Sequence, residues 1–361
     1  MAKIAIQGNP AGTGTITFQP PNTNTNRTVS LPDVDGTLVM SDQFIPVEEH
    51  INDGLKHVGH NYIVDGAFDF WYEGTSQTNS GYGSDTMWLN SNTGSTKTHS
   101  RQSFALGAMF PDMTPCPEYF SRTIVSTVAG VSNNVIKIQN VEDVATLAGK
   151  KATISFYAKT DAIRNISVEL VQRFGTGGSP SANVTNIGMR KIPITTVWAK
   201  YTVTADIPAI TGKVVGSNND DTLSLYIWFD AGSNLNARTD SLGQQSGTFD
   251  LALVKLEEGE VATPYVRDVG YELQRVQRYY EEGIFFHVGY NIAASNIGST
   301  VKYAVVKRGT PIITQAGLSV SNCNTTPAIS NTTTESFLSY RSVTGTGAAQ
   351  YNESWKADAR L

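Results

Sequence analysis

The sequence predicts an all-β chain built from several modules. Three observations carry that expectation. Apolar and polar positions alternate over short runs, 32 glycines and 14 prolines punctuate those runs, and charged residues make up only 16% of the 361. Period-two alternation places one face of a strand in a core and the other in water. A charged fraction so far below the roughly 25% of ordinary soluble domains leaves Thr, Ser, Asn and Gly to supply the polarity.

The first segment, residues 1–43, reads as short strands and turns: Gly12–Phe18, then Pro20-Pro21-Asn22, Arg27–Pro32, the turn dipeptide Asp35-Gly36 and Thr37–Met40. It holds too few apolar residues to fold alone, so it must pack on the rest of the chain or on copies of itself. Residues 44–60 are a helical candidate, with Val47, Ile51, Leu55 and Val58 on one stripe. That helix is either a linker or one strand of a three-chain bundle. Residues 61–268 contain the alternating runs 134–138, 152–158, 166–171, 198–204 and 223–229. Half-buried strands of that kind predict a two-sheet antiparallel sandwich, with long loops at 173–186, 216–221 and 230–247. The clearest helix is 269–283, with Leu273, Val276 and Tyr280 on one face and Gly283 as its stop. A second β region, 284–361, follows.

Composition excludes several classes. The net charge of −5 argues against a nucleic-acid protein, which carries a basic stripe. Cys116 and Cys323 form no disulfide framework. The start of the chain lacks the apolar core of a signal peptide, and no apolar run approaches the ~18 residues that span a bilayer, so no membrane insertion is expected. HExxH, CxxC and GxSxG patterns are absent, and Gly175–Gly178 leads into Pro180 rather than a helix.

The ends of the sandwich segment carry a resemblance. The opening Asp65–Trp71, Gly74-Thr75-Ser76, the series Gly81, Tyr82, Asp85, Trp88, the pieces Ser100–Phe104 and Ser155–Lys159, the closing string Leu256, Glu257, Gly259, Ala262, Thr263, Pro264, and Arg278-Tyr279-Tyr280 resemble bacteriophage tail-fibre and receptor-binding proteins with a carbohydrate-binding-like jelly roll. Gly12–Phe18 with Asp35–Val39, and the terminal Trp355–Leu361, are similar to the ends of such fibres. The resemblance implies a homotrimeric fibre: an attachment segment at 1–43, a linker or coiled coil at 44–60, a jelly roll at 61–268, a linker helix at 269–283 and a distal β-sandwich at 284–361. Its implied partners are virion tail, baseplate or adaptor proteins through the N-terminus and a bacterial surface glycan, lipopolysaccharide or capsule. The chain would be assembled in the host cytoplasm and located in the virion. No catalytic role is expected. A purely structural fibre or head decoration is the alternative, and a glycan depolymerase a further one.

Sugar recognition needs aromatic faces for the apolar side of a ring and polar groups for its hydroxyls. Tyr72, Tyr82 and Tyr119, with Asp85 and Arg101, are the expected ligand contacts. Trp198 and Trp228 sit in alternating strands and are assigned to the core. Jelly-roll sugar-binding modules resembling this one often hold a structural calcium where first and last strands meet. Asp69 and Asp250 are the corresponding carboxylates, either as its ligands or as plain surface aspartates. Paired carboxylates for glycoside hydrolysis would come from Asp69/Glu73/Asp85, Asp220/Asp221 or Glu257/Glu258/Glu260.

Overall fold

The structure, a computed structural model, describes residues 59–105 and 116–361, which belong to one compact unit, His50–Leu361. The expected attachment segment at 1–43 and all but the last two residues of the expected helix at 44–60 lie outside the described residues. Gly59 and His60 are not helical.

Strands β1 (Ser76–Gln77), β2 (Leu89–Thr93), β3 (Thr96–Ser103), β4 (Tyr119–Ser126), β5 (Asn134–Glu142) and β6 (Lys151–Thr160) are followed by β7 (Arg164–Arg173), β8 (Val184–Ile194), β9 (Ala199–Asp206), β10 (Thr222–Ala231) and β11 (Gly247–Glu258). They form two antiparallel sheets, β1-β3-β4-β11-β6-β9 and β2-β5-β10-β7-β8, packed face to face as a jelly-roll sandwich. Alternation decides which side chains meet between the sheets. In β6, Ile154, Phe156 and Ala158 enter the core, so Tyr157 and Lys159 emerge on the opposite face. Phe249 and Leu251 of β11 join them against Leu225 and Ile227 of β10 and Val168 and Leu170 of β7.

The opening and closing segments lock together. Asp65 adopts a positive φ of 55°, and its buried carboxylate accepts from the amides of Asp69 (2.7 Å) and Phe70 (3.2 Å). Burial raises its pKa well above the usual range. Gly66 lies against the irregularity of β11 between Ala252 and Lys255, where Val254 N–H donates to Gly66 O at 2.8 Å. The closing string folds back on β11: Glu257 accepts from Thr263 N (2.8 Å) and Oγ1 (2.5 Å) and pairs with Lys255 at 3.0 Å.

After a single helical turn α1 (Asn236–Thr239) in the loop before β11, the main helix α2 runs over Val269–Tyr279. Asp268 caps it by accepting from Tyr271 N at 3.0 Å. Its buried residues are Glu272, Val276 and Tyr279; of the expected face Val276 and Tyr280 are buried, while Leu273 is only half-buried and Glu272 takes its place. The reason is polar: the Glu272 carboxylate accepts from Asp65 N at 2.8 Å and pairs with Arg275 at 2.6 Å. The helix also ends four residues before Gly283, because Tyr280 is already extended (φ −143°, ψ 130°).

Tyr280 begins β12 (Tyr280–Asn291), followed by β13 (Asn296–Lys302), β14 (Ile312–Ser321), β15 (Ala328–Ser330), β16 (Ser336–Ser342) and β17 (Gly347–Asp358). These make two three-stranded sheets, β12-β17-β14 and β13-β16-β15. Between them lie Ile297, Phe337, Tyr351 and Trp355, and Arg341 is buried on Glu353 at 2.5 Å.

Candidate functional site

The outward face of the six-stranded sheet gathers aromatic and charged side chains from neighbouring strands. Register explains the gathering. Arg122 of β4 stands opposite Asp250 of β11, Asp250 stands opposite Lys159 of β6, and Tyr157 of β6 stands opposite Lys200 of β9. Asp250 holds Arg122 through two bonds of 2.7 and 2.8 Å and lies 3.7 Å from Lys159. The bidentate contact raises the Arg122 pKa, although partial burial opposes it, so this guanidinium is fixed and charged.

Three rings stand beside these charges. Phe104, Phe120 and Trp198 form a mutual cluster with centroid separations of 4.8, 5.3 and 5.2 Å. Lys159 Nζ lies 5.5 Å from the Trp198 ring and 5.9 Å from that of Phe120, and the Arg122 guanidinium lies 5.6 Å from Phe120. Phe120 is buried, whereas Trp198, Phe104, Arg122 and Lys159 keep part of their surface in solvent. The face thus offers an aromatic platform bordered by the part-exposed cations Arg122 and Lys159, which the buried Asp250 carboxylate holds in place.

The ligand contacts nominated from sequence fall outside this platform. Tyr72 packs on the core and stacks on Tyr280 at 6.1 Å. Tyr82 donates to the Leu361 carbonyl at 2.8 Å, and the Arg360 guanidinium lies over its ring at 4.2 Å and over Tyr280 at 4.4 Å. Burial pushes the Tyr82 hydroxyl up to about 12. Both tyrosines belong to the joint between sandwich and C-terminal sheet, not to an open surface. Asp85 is fully buried, ion-paired with Lys137 and hydrogen-bonded to Ser84 (2.9 Å), Asn90 (2.6 Å) and Ser121 (3.1 Å), so it meets no external ligand. Arg101 and Tyr119 form a cation–π pair at 4.4 Å and remain partly exposed.

Asp69 and Asp250 do not fit calcium. Asp69 is held by two bonds from Arg267 (3.0 and 2.7 Å) and Asp250 by two from Arg122, and a hard cation needs six to eight oxygens rather than arginine-filled carboxylates. Among the described residues no group of three or more His, Cys, Asp or Glu is placed to hold a metal ion. The candidate hydrolytic carboxylates are likewise engaged: Glu257 by Lys255 and Thr263, Glu73 by Arg360, and Asp220 by Thr176.

Trp198, assigned to the core from its strand, is instead part of the platform, and Phe104, Phe120, Arg122 and Lys159 were not nominated. The available signal was register: Ser155, Tyr157 and Lys159 alternate with the apolar Ile154, Phe156 and Ala158. Trp228 is buried as expected.

No protein-family model matches the chain, and no curated protein matches it. Solved structures similar to it include the enzymatically active domain of tailspike protein 4 of bacteriophage CBA120 (12% identity, 55% of this chain and 21% of that chain, TM-score 0.32). Others are the CBM22-1 xylan-binding domain of Paenibacillus barcinonensis Xyn10C (14%, 52% and 95%, TM-score 0.28) and a family 11 carbohydrate-binding module from Clostridium thermocellum in complex with a β-1,3-1,4-mixed-linked tetrasaccharide (10%, 51% and 95%, TM-score 0.30). The chain spans about a fifth of the tailspike chain. The class of protein assigned here, an all-β jelly-roll sandwich joined to a smaller two-sheet β unit, rests on the strand order and the core.

Proposed function

We propose that this chain is a non-catalytic, carbohydrate-binding subunit of a bacteriophage tail fibre, adhering to a bacterial surface glycan, lipopolysaccharide or capsule. The observation that carries the reading is the Phe104–Phe120–Trp198 platform with Lys159, Arg122 and Asp250 at its border. Single sites of this kind are shallow and weak, so adhesion depends on several copies acting together.

The copies would meet through the C-terminal sheet as a homotrimer. Ile284, Phe286, Val288 and Tyr290, on the edge strand β12, are 68, 59, 60 and 75% exposed, and Ile312 and Leu318 of β14 are exposed in the same sheet. Six such side chains at about 100 Å² each present roughly 600 Å², near the ~800 Å² per partner of a standard interface and at the upper limit of patches on monomers. The attachment of residues 1–43 to tail, baseplate or adaptor proteins belongs to the same reading.

The test is binding of the full chain to purified lipopolysaccharides and capsular polysaccharides from a bacterial panel, with light scattering on the same samples. Trp198→Ala should weaken binding at least tenfold without changing the oligomer, and Phe286→Glu should dissociate it. A trimer that binds no polysaccharide would support a purely structural fibre. Oligosaccharides released during incubation would support a depolymerase.

A further inference from the structure

Between the two sheets, at the end bounded by β2 and β5, the sandwich interior is polar. Lys137, Asn90 and Asp85 are each 0% exposed. Asn90 and Lys137 are direct cross-strand partners of β2 and β5, and the Lys137 amine donates to Asn90 Oδ1 at 2.7 Å. Asp85 bridges the two: one carboxylate oxygen is on Lys137 Nζ, and the other accepts from Asn90 Nδ2 at 2.6 Å. The rings of Phe68 and Trp88, stacked at 5.3 Å, each lie 5.5 Å from Nζ and close the site from water. An amine nucleophile, an amide carbonyl and a carboxyl group spanning the attacking and leaving nitrogens are thus assembled in one dry pocket.

We infer that Lys137 and Asn90 condense into an intramolecular amide cross-link, with Asp85 relaying the protons. Lys137 first passes a proton to Asp85, leaving a neutral amine. Burial favours that transfer by lowering the lysine pKa, although the Asp85 charge opposes it. The Nζ lone pair adds to Asn90 Cγ, the carbonyl electrons move to Oδ1, and the Nζ–Cγ bond forms. Collapse of the adduct restores the carbonyl and breaks the Cγ–Nδ2 bond, with Asp85 giving its proton to the leaving nitrogen, then taking the second proton from Nζ and passing it to the released ammonia. Of the lysine's three protons and the amide's two, one stays on the new amide nitrogen and the rest leave as ammonium. Asp85 ends as the carboxylate it began. No oxidant, metal or co-reactant is consumed. Gln77 Oε1 and Ser84 Oγ, 3.1 and 3.2 Å from Asn90 Nδ2, receive the leaving ammonia, and Ser121 Oγ holds Asp85 from the facing sheet at 3.1 Å.

The test is the intact mass of the purified full chain after denaturation, followed by proteolysis and tandem mass spectrometry. The expected result is a mass lower than the sequence by one ammonia and a branched peptide joining strand 89–93 to strand 134–142. Lys137→Arg, which keeps the cation, and Asp85→Asn, which keeps both reacting side chains, should each restore the full mass. The wild-type measurement stands even where a variant fails to fold. A wild-type chain at full sequence mass overturns the inference. Loss of one water instead overturns the assignment to Asn90, because it places the bond on Asp85.

Discussion

Gly66 is the residue where the opening of the sandwich meets its closing strand, and Gly66→Ala tests that joint. A Cβ built there stands 1.9 Å from the Val254 carbonyl oxygen, against an ordinary contact range that starts at 3.4 Å. That oxygen and its neighbouring amide are backbone, so no rotamer relieves the overlap and the 65–67 segment must move away from β11. The movement breaks Val254 N–H to Gly66 O (2.8 Å) and Asn61 Nδ2 to Val254 O (3.1 Å), each contributing about 0.5–1.5 kcal/mol. Overpacking adds about 1–3 kcal/mol. The sum is about 2–6 kcal/mol, or a fall of roughly 4–12 °C in Tm for a unit of this size. Gly309→Ala is the control, since nothing lies within 4 Å of its Cβ, and it should stay within about 0.5 kcal/mol of wild type. The assay is scanning calorimetry of both variants. Equal Tm values for Gly66→Ala and Gly309→Ala would refute the reasoning.

Two further outcomes follow from buried groups. His99 is fully buried with Nδ1 on Thr123 Oγ1 at 2.7 Å, and burial holds its pKa well below 6.5. The unfolded chain therefore binds this proton first, so stability falls as pH drops below 6.5, by up to about 1.4 kcal/mol per pH unit. His99→Gln should flatten that limb in urea titrations at pH 7 and pH 5, and an unchanged slope would count against it. Because arginines already occupy Asp69 and Asp250, EDTA should leave Tm unchanged in a fluorescence melt, and a downward shift would restore calcium to the joint.

The strands were legible because their alternation is local. Ala152–Ala158 and Leu223–Phe229 announce their buried faces within a few residues. The candidate ligand face was not, because a face is a property of pairing between distant strands. Nothing local joins Arg122 to Asp250, or Phe104 to Trp198. Tyr72 and Tyr82 lie in turn-rich sequence, which is the signature of exposed loops, but the chain terminus returns across them, and Arg360 is inserted between Tyr82 and Tyr280. Asp85 misled for a related reason. A carboxylate in a Gly- and Ser-rich stretch reads as solvated unless its cation is known, and Lys137 comes 52 residues later. The opening and closing segments signalled the right scaffold through residues whose work is structural: Gly66 fits a bulge, and Thr263 satisfies Glu257.

If the chain serves as the proposed fibre held at its N-terminus, the position of the Lys137–Asn90 pair has a mechanical meaning. Load then enters the sandwich through its earliest strands. β1 is two residues long, and β2 is a five-residue edge strand paired along its length with β5 and bridged on its other side only by Gly81 at Asn90. Edge strands peel one hydrogen bond at a time, and at about 0.5–1.5 kcal/mol net for each bond β2 alone resists little. An amide between Asn90 and Lys137 sits one pair in from the Leu89↔Ile138 end of the β2–β5 pairing, which runs on to Thr93↔Asn134. It would pass the load directly to β5, which is paired on its other side to the central β10. The polar pocket that is costly inside a sandwich core is thus placed where a covalent fastening would hold the edge strand β2 in register under tension.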